Sequence, residues 1–275
     1  MPKRRSERRP WYLGLLLLAL SSPAALAQQA SPPAAVPAPE KPTVSARVEY
    51  LKALQRIGNG ETVESVFMLG QAAAREQLQA TLEWDQALAS GKIPKKRFER
   101  QLPGFHVGTG EAIFVIANSK AFLELARQRG TAVDRRFFEL LHQTFNGSAT
   151  RVYVDQIDNV TACYHVGGRE MLTLYKEWTR FQASHPNAYK SAVADEIHQL
   201  EQAYTSATCA CSTHQVVDAG LEAFLKEFPR SRIAPQVRER VRKIHTKTTD
   251  IVFLCGQELL LPQPVPPGVA PPTTP

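Results

Sequence analysis

The chain has 275 residues, with 33 basic and 26 acidic side chains and a formal net charge of +7. Residues 1–27 hold five of the basic residues and Glu7, so the remainder carries only +3, too little to imply a nucleic-acid partner. Four cysteines are an even set, which disfavours a catalytic thiol in an exported chain.

Residues 1–27 read as an export signal. Lys3, Arg4, Arg5, Arg8 and Arg9 form the positive start, Trp11 to Leu20 the apolar centre, and Ala25-Leu26-Ala27 a small-x-small cleavage site. The apolar run is shorter than the ~20 residues of a spanning helix. Cleavage near Ala27 and a periplasmic or secreted product are expected, with an uncleaved anchor as the alternative. Residues 28–43 carry Pro32, Pro33, Pro37, Pro39 and Pro42 among alanines and read as a flexible linker. Pro262 to Pro275, with seven prolines in fourteen residues, reads as a tail of the same kind. Between them the chain divides into an amino-terminal helical part, 44–160, and a disulfide-stapled part, 161–261.

In the first part, Val44 to Arg56 forms a helix with Val48, Leu51 and Leu54 on one face, stopped at Gly58-Asn59-Gly60. Glu61 to Ser90 continues as a longer helix through Val63, Phe67, Ala74, Leu78 and Leu82, broken at Gly91 to Pro94. Residues 92–110 are irregular; Lys92, Lys95, Lys96, Arg97 and Arg100 make a basic cluster there, and a lone charge run is usually a solvated face. Glu111 to Asn118 is a buried strand or the end of an apolar helix, which periodicity does not decide. Ser119 caps a helix that ends at Gly130 after Arg127 and Arg129. Ala132 to Phe145 is a further helix with Phe137, Leu140 and Leu141 inward, and Asp134 near its start, where the dipole favours an anion. Asn146-Gly147 turns the chain, and Arg151 to Asp158 contains a short strand.

The second part is organised by Cys163, Cys209 and Cys255, spaced 46 residues apart. Leu172, Tyr175, Trp178 and Phe181 mark one helix, His185-Pro186-Asn187 a turn, and Tyr189, Val193, Ile197, Leu200 and Tyr204 a returning helix. Val217, Leu221, Phe224, Leu225 and Phe228 repeat the plan, with a turn at Pro229-Arg230-Ser231 and a return through Ile233, Val237, Val241 and Ile244. The expected fold is mainly α: two repeat-like antiparallel helical hairpins in the carboxyl-terminal half, at most one or two short strands, and disulfide staples. The stretch Phe224 to Ala234 resembles the helix-turn-helix junction of tetratricopeptide-like repeats in bacterial envelope proteins, a resemblance that runs over about 172–246.

Hairpin ends return beside their starts, so Cys163 is expected to meet Cys209, and Cys211 to meet Cys255. The alternative pairs Cys163 with Cys211 and Cys209 with Cys255, because Cys209 and Cys211 are too close along an extended chain to bridge. A metal reading uses Cys163, His165, Cys209, Cys211 and His214, but C-x-C-x-x-H is not a usual zinc spacing, and an oxidising compartment favours bridges.

The sequence holds no H-E-x-x-H, G-x-S-x-G, Walker loop or strand-following G-x-G-x-x-G. Asp195, Glu196 and His198 share a helix, but adjacent carboxylates diverge by about 100°. Asp155, Asp158, His165 and His214 are the residues that a hidden enzyme site would gather. Arg230, Arg232, Arg238, Arg240, Arg242, Lys243 and Lys247 crowd the last helix with Glu239 as the single acid among them, a face suited to an anionic membrane surface or an acidic partner. The sequence therefore points to an exported, non-catalytic interaction or scaffold module whose partner is another envelope protein, with no cofactor and no metal. The alternatives are an envelope enzyme with a dispersed site, or an accessory protein on the membrane surface.

Overall fold

The structure, a computed structural model, describes residues 45–79, 95–109, 113–148, 150–157 and 161–256. The export signal, linker, proline-rich tail, residues 80–94 of the second expected helix and its break, Gly110, Asp158 and Asn159 lie outside these. The described residues form nine helices and six short strands. None of these helices is long and apolar enough to cross a membrane.

The amino-terminal helices α1 (Ala46–Gln55) and α2 (Val63–Gln79) pack as a hairpin. The inward face of α1 is Tyr50 and Ala53, fully buried, while Val48 is 41% exposed, so the expected face is rotated. Gly70 on α2 makes room for this: a Cβ there would sit 2.4 Å from the Phe105 ring and 2.9 Å from the Tyr50 ring. Phe67 of α2 meets Phe122, Phe137, Phe138 and Tyr189 edge to face, in the offset geometry that aromatic quadrupoles favour.

A short helix α3 (Lys95–Gln101) buries Phe98 and leads into β1 (Phe105–Thr109), which pairs antiparallel with β2 (Ile113–Ala117) in the register Phe105↔Ala117 to Thr109↔Ile113. The ambiguous apolar run is thus a strand, and its partner lies in the stretch that reads as irregular. Asn118, not Ser119, caps α4 (Ser119–Arg129): its side chain accepts from Ala121 N at 3.1 Å, and Ser119 is the buried first helical residue. Helix α5 (Ala132–Phe145) has the expected bounds. Thr131 and Asp134 form a reciprocal capping box at its start. Asp134 also accepts from the Tyr189 hydroxyl at 2.6 Å.

The stapled half consists of α6 (Arg169–Ser184), α7 (Lys190–Ser206), α8 (His214–Glu227) and α9 (Ala234–His245). These are the two expected hairpins, and they stack: the Tyr175 ring packs on Phe224 and Phe228, and Tyr204 on Phe224. Glu201 of α7, 5% exposed, accepts two hydrogen bonds from Arg232 Nε at 2.9 and 3.0 Å. Arg240, expected on the solvated face, is instead buried and donates to the carbonyls of Ala203, Tyr204 and Ala207 at the end of α7.

The hairpin ends are tied by a four-stranded sheet in the order β3 (Val154–Gln156), β4 (Ala162–Tyr164), β5 (Cys209–Ala210), β6 (Val252–Phe253). The pair β3–β4 is antiparallel; β4–β5 and β5–β6 are parallel. The disulfides are Cys163–Cys211 and Cys209–Cys255, with Cα atoms 5.1 and 5.5 Å apart. This overturns the preferred pairing of Cys163 with Cys209 and Cys211 with Cys255. The returning ends do lie side by side, but a stagger decides the partners. Cys211 N–H donates to Tyr164 O, which seats it at the exit of β4. Leu254, in the left-handed region at φ 55°, folds the chain back so that Cys255 N–H reaches Ala210 O beside Cys209.

Candidate functional site: a cleft beside strand β2

A cleft of about 210 Å³ opens between α2, β2, α5 and α7. Its apolar lining comes from Phe67 and Met68 of α2 and from Leu141 and Phe145 of α5. Its polar lining comes from Gln71 and Arg75 on α2, and from Ser191, Asp195 and Glu196 on α7. Helical spacing explains the division on α7: Ser191 and Asp195 are one turn apart and exposed, and Glu196, the next residue, turns inward to 7% exposure.

Glu196 is paired within the cleft. Arg151 Nε donates to its Oε2 at 2.9 Å and Nη2 to its Oε1 at 3.1 Å, and the Arg151 Cζ lies 5.2 Å from the centre of the Phe145 ring. Burial opposes the charge on Arg151, but the charge and hydrogen bonds of Glu196 outweigh it and hold the guanidinium above its usual range. A planar guanidinium forked onto a carboxylate and laid on an aromatic face is fixed in orientation. At the mouth, by contrast, Arg75 and Asp195 form no ion pair among the described residues.

The β2 wall presents backbone. Asn118 N–H donates to Gly104 O at 2.8 Å, while Phe105 N–H turns to Leu102 O. Hydrogen-bonded and non-bonded pairs alternate along an antiparallel ladder, so His106–Ile116 is bonded, and Phe105–Ala117 and Val107–Val115 are not. Val115 and Ala117 therefore direct their N–H and C=O groups away from β1. These groups have no backbone partner among the described residues, and both residues line the cleft. Unpaired strand groups are a template for an added strand. Apolar surface, with a backbone edge free and one charge of each sign unpaired among the described residues, suits an extended peptide.

The residues singled out from the sequence go elsewhere. All four cysteines are in disulfides, so no thiolate serves the metal reading. His165 Nε2 does meet Asp155 Oδ2 at 2.7 Å, but Asp155 is 63% exposed and the pair sits at the small sheet, away from the cleft. His214 packs against Phe253, and Asp158 lies outside the described residues. His198 is exposed, with Glu196 turned inward. Among the basic candidates, Arg232 binds Glu201, Arg238 donates to Pro229 O at 2.9 Å, and Arg242 pairs with Glu239 at 2.6 and 2.7 Å. Arg230 and Lys243 form no ion pair among the described residues. The cleft itself was missed, because Phe67, Val115, Arg151 and Glu196 come from distant stretches and only the alternation of Phe105 and Val107 hints at the hairpin beside it.

Comparison with family models, with curated proteins and with solved structures finds no match.

Proposed function

We propose that this chain is a non-catalytic interaction module of the bacterial periplasm that captures an extended segment of another envelope protein along β2. The observation that carries the reading is the outward backbone of Val115 and Ala117, free among the described residues and lining a cleft. Two disulfides with no free cysteine fit an oxidising compartment. Stacked hairpins, resembling tetratricopeptide-like repeats, supply a rigid support. The membrane-surface alternative is weakened because Arg232, Arg238, Arg240 and Arg242 are engaged within the chain.

The test places a photo-crosslinking residue at Gln71 or Ser191, with exposed Lys226 as the control, in intact cells. Adducts are expected from the two cleft positions alone. Val115→Pro removes an outward N–H that β1 does not use, a change tolerated on an edge strand, so it should abolish the adducts and keep the fold. Equal adducts from Lys226, or cleft adducts that persist in V115P, would overturn the reading.

A further inference from the structure

The second hairpin carries a cluster none of whose residues lines the cleft. Asp218 and Glu222 stand one turn apart on α8, hence on one face. Helix α9 runs back antiparallel and ends in His245, whose Nε2 lies 2.9 Å from Asp218 Oδ2. One ligand atom from each of the three residues lies within 4.8 Å of the other two. A histidine–aspartate hydrogen bond alone leaves two features unexplained. Asp218 Oδ1 is shielded from solvent and has no hydrogen-bond partner among the described residues. Neither carboxylate has a lysine or arginine within 4.0 Å among the described residues, in a chain with 33 basic side chains. The imidazole reaches one oxygen of one carboxylate, which leaves Asp218 Oδ1 unsatisfied, and a desolvated carboxylate oxygen without a partner is costly.

We propose that Asp218, Glu222 and His245 form a binding site for a divalent first-row transition ion, with zinc as the best match. Two carboxylates neutralise a doubly charged ion, and one imidazole among oxygen donors favours zinc-like ions over calcium or magnesium. Three protein ligands leave one position for water. Tetrahedral bonds of about 2 Å set ligand atoms roughly 3.3 Å apart, so closure requires an inward rotation of Glu222, which is exposed. On binding, His245 Nε2 coordinates the ion and its ring proton resides on Nδ1. The ion then clamps the last residue of α9 to the middle of α8.

Calorimetric titration of the metal-free full-length chain with zinc chloride tests this, with manganese chloride in parallel. One zinc per chain is expected, with a melting temperature that rises with zinc concentration. Glu222→Gln and His245→Gln, both at exposed positions, should each weaken zinc binding by more than about tenfold, since even outer-shell partners cost 10–100-fold, with unchanged circular dichroism. His165→Gln, in the other histidine–aspartate pair, should bind as the parent does. Absence of zinc uptake, or uptake that survives both E222Q and H245Q, overturns the site.

Discussion

Replacing Arg240 with methionine should loosen the junction between the two stapled hairpins. The last four carbonyls of a helix lack partners within it, and α7 has no basic residue in its own last turn. Arg240 of α9 supplies the missing donors: Nη1 reaches Tyr204 O at 2.9 Å and Ala203 O at 3.4 Å, and Nη2 reaches Ala207 O. Burial pulls the guanidinium below its usual range, with Asp250 partly opposing, so the charge is held at a cost. A cation at a partly buried helix C-terminus is worth up to about 2 kcal/mol, and each buried carbonyl left without a donor costs about 1–3 kcal/mol. Relief of the desolvated charge offsets part of this loss.

The net for Arg240→Met is therefore about 3 kcal/mol, or a fall of roughly 6–12 °C in melting temperature for a unit of this size. Urea denaturation with an unchanged slope would assign the loss to stability. Arg240→Lys, whose ammonium serves fewer carbonyls, should lose about half as much. Arg238→Ala, on the exposed side of the same helix, should stay within about 0.5 kcal/mol of the parent. An R240M protein as stable as the parent would refute the argument, since it would show that the end of α7 needs no donor from α9.

Thiol titration checks the staples. Cys163→Ala with Cys211→Ala should leave no free thiol, whereas Cys163→Ala with Cys209→Ala strands Cys211 and Cys255 and should leave two. Each bridge closes a loop with a sequence separation of 48 or 46 residues, so its loss should cost about 4 kcal/mol on the loop-closure account. Gly220→Ala should destabilise by more than about 2 kcal/mol in thermal melts, because a Cβ there would lie 1.8 Å from Gly167 Cα on the turn before α6. Alkaline unfolding is expected from the tyrosines. Burial raises the pKa of Tyr50, Tyr153, Tyr175, Tyr189 and Tyr204, five of the seven in the chain. Their stabilising contribution is complete below the unfolded value of about 10 and is lost as the pH rises above it, at about 1.4 kcal/mol per group per pH unit. Phenolate absorbance should therefore appear for these five only together with loss of circular dichroism; gradual titration in the folded state would contradict their burial.

Helices were legible where apolar residues recur with a clear period and polar caps frame them. Ala132 to Phe145 combines an aromatic–leucine stripe with Asp134 in its first turn, and its bounds match. The face of α1 was legible only in part: Leu51 and Leu54 pack half-buried against the core, and Val48 does not. Val48, Leu51 and Leu54 are more apolar by composition, yet Tyr50 wins because Gly70 opens a slot for its ring and its hydroxyl reaches Pro103 O. The strand β1 escaped notice because His106 and Gly108 dilute an alternation that rests on Phe105 and Val107. Arg240 illustrates the general obstacle: an arginine reads as solvated until another element brings unpartnered carbonyls to it, and nothing local announces that encounter.

Hairpin geometry explains why the two sulfur pairs and the proposed metal cluster differ in legibility. An antiparallel pair brings together residues equidistant from its turn. About the turn at 185–188, Cys163 mirrors Cys209 through Pro186 and Cys211 through Asn187, so the reflection does not choose between them. The choice depends on one backbone hydrogen bond, Cys211 N–H to Tyr164 O, which follows from the stagger of parallel strands and leaves no trace in spacing. In the second hairpin, Asp218 and His245 reflect about the midpoint between Ser231 and Arg232, next to the expected turn. Their meeting could have been read from the chain by folding it at Pro229 to Ser231 and asking which polar residues coincide. A reflection is accurate to a residue or two. That is enough for a flexible imidazole and a carboxylate to find each other, and too coarse for cysteines two positions apart.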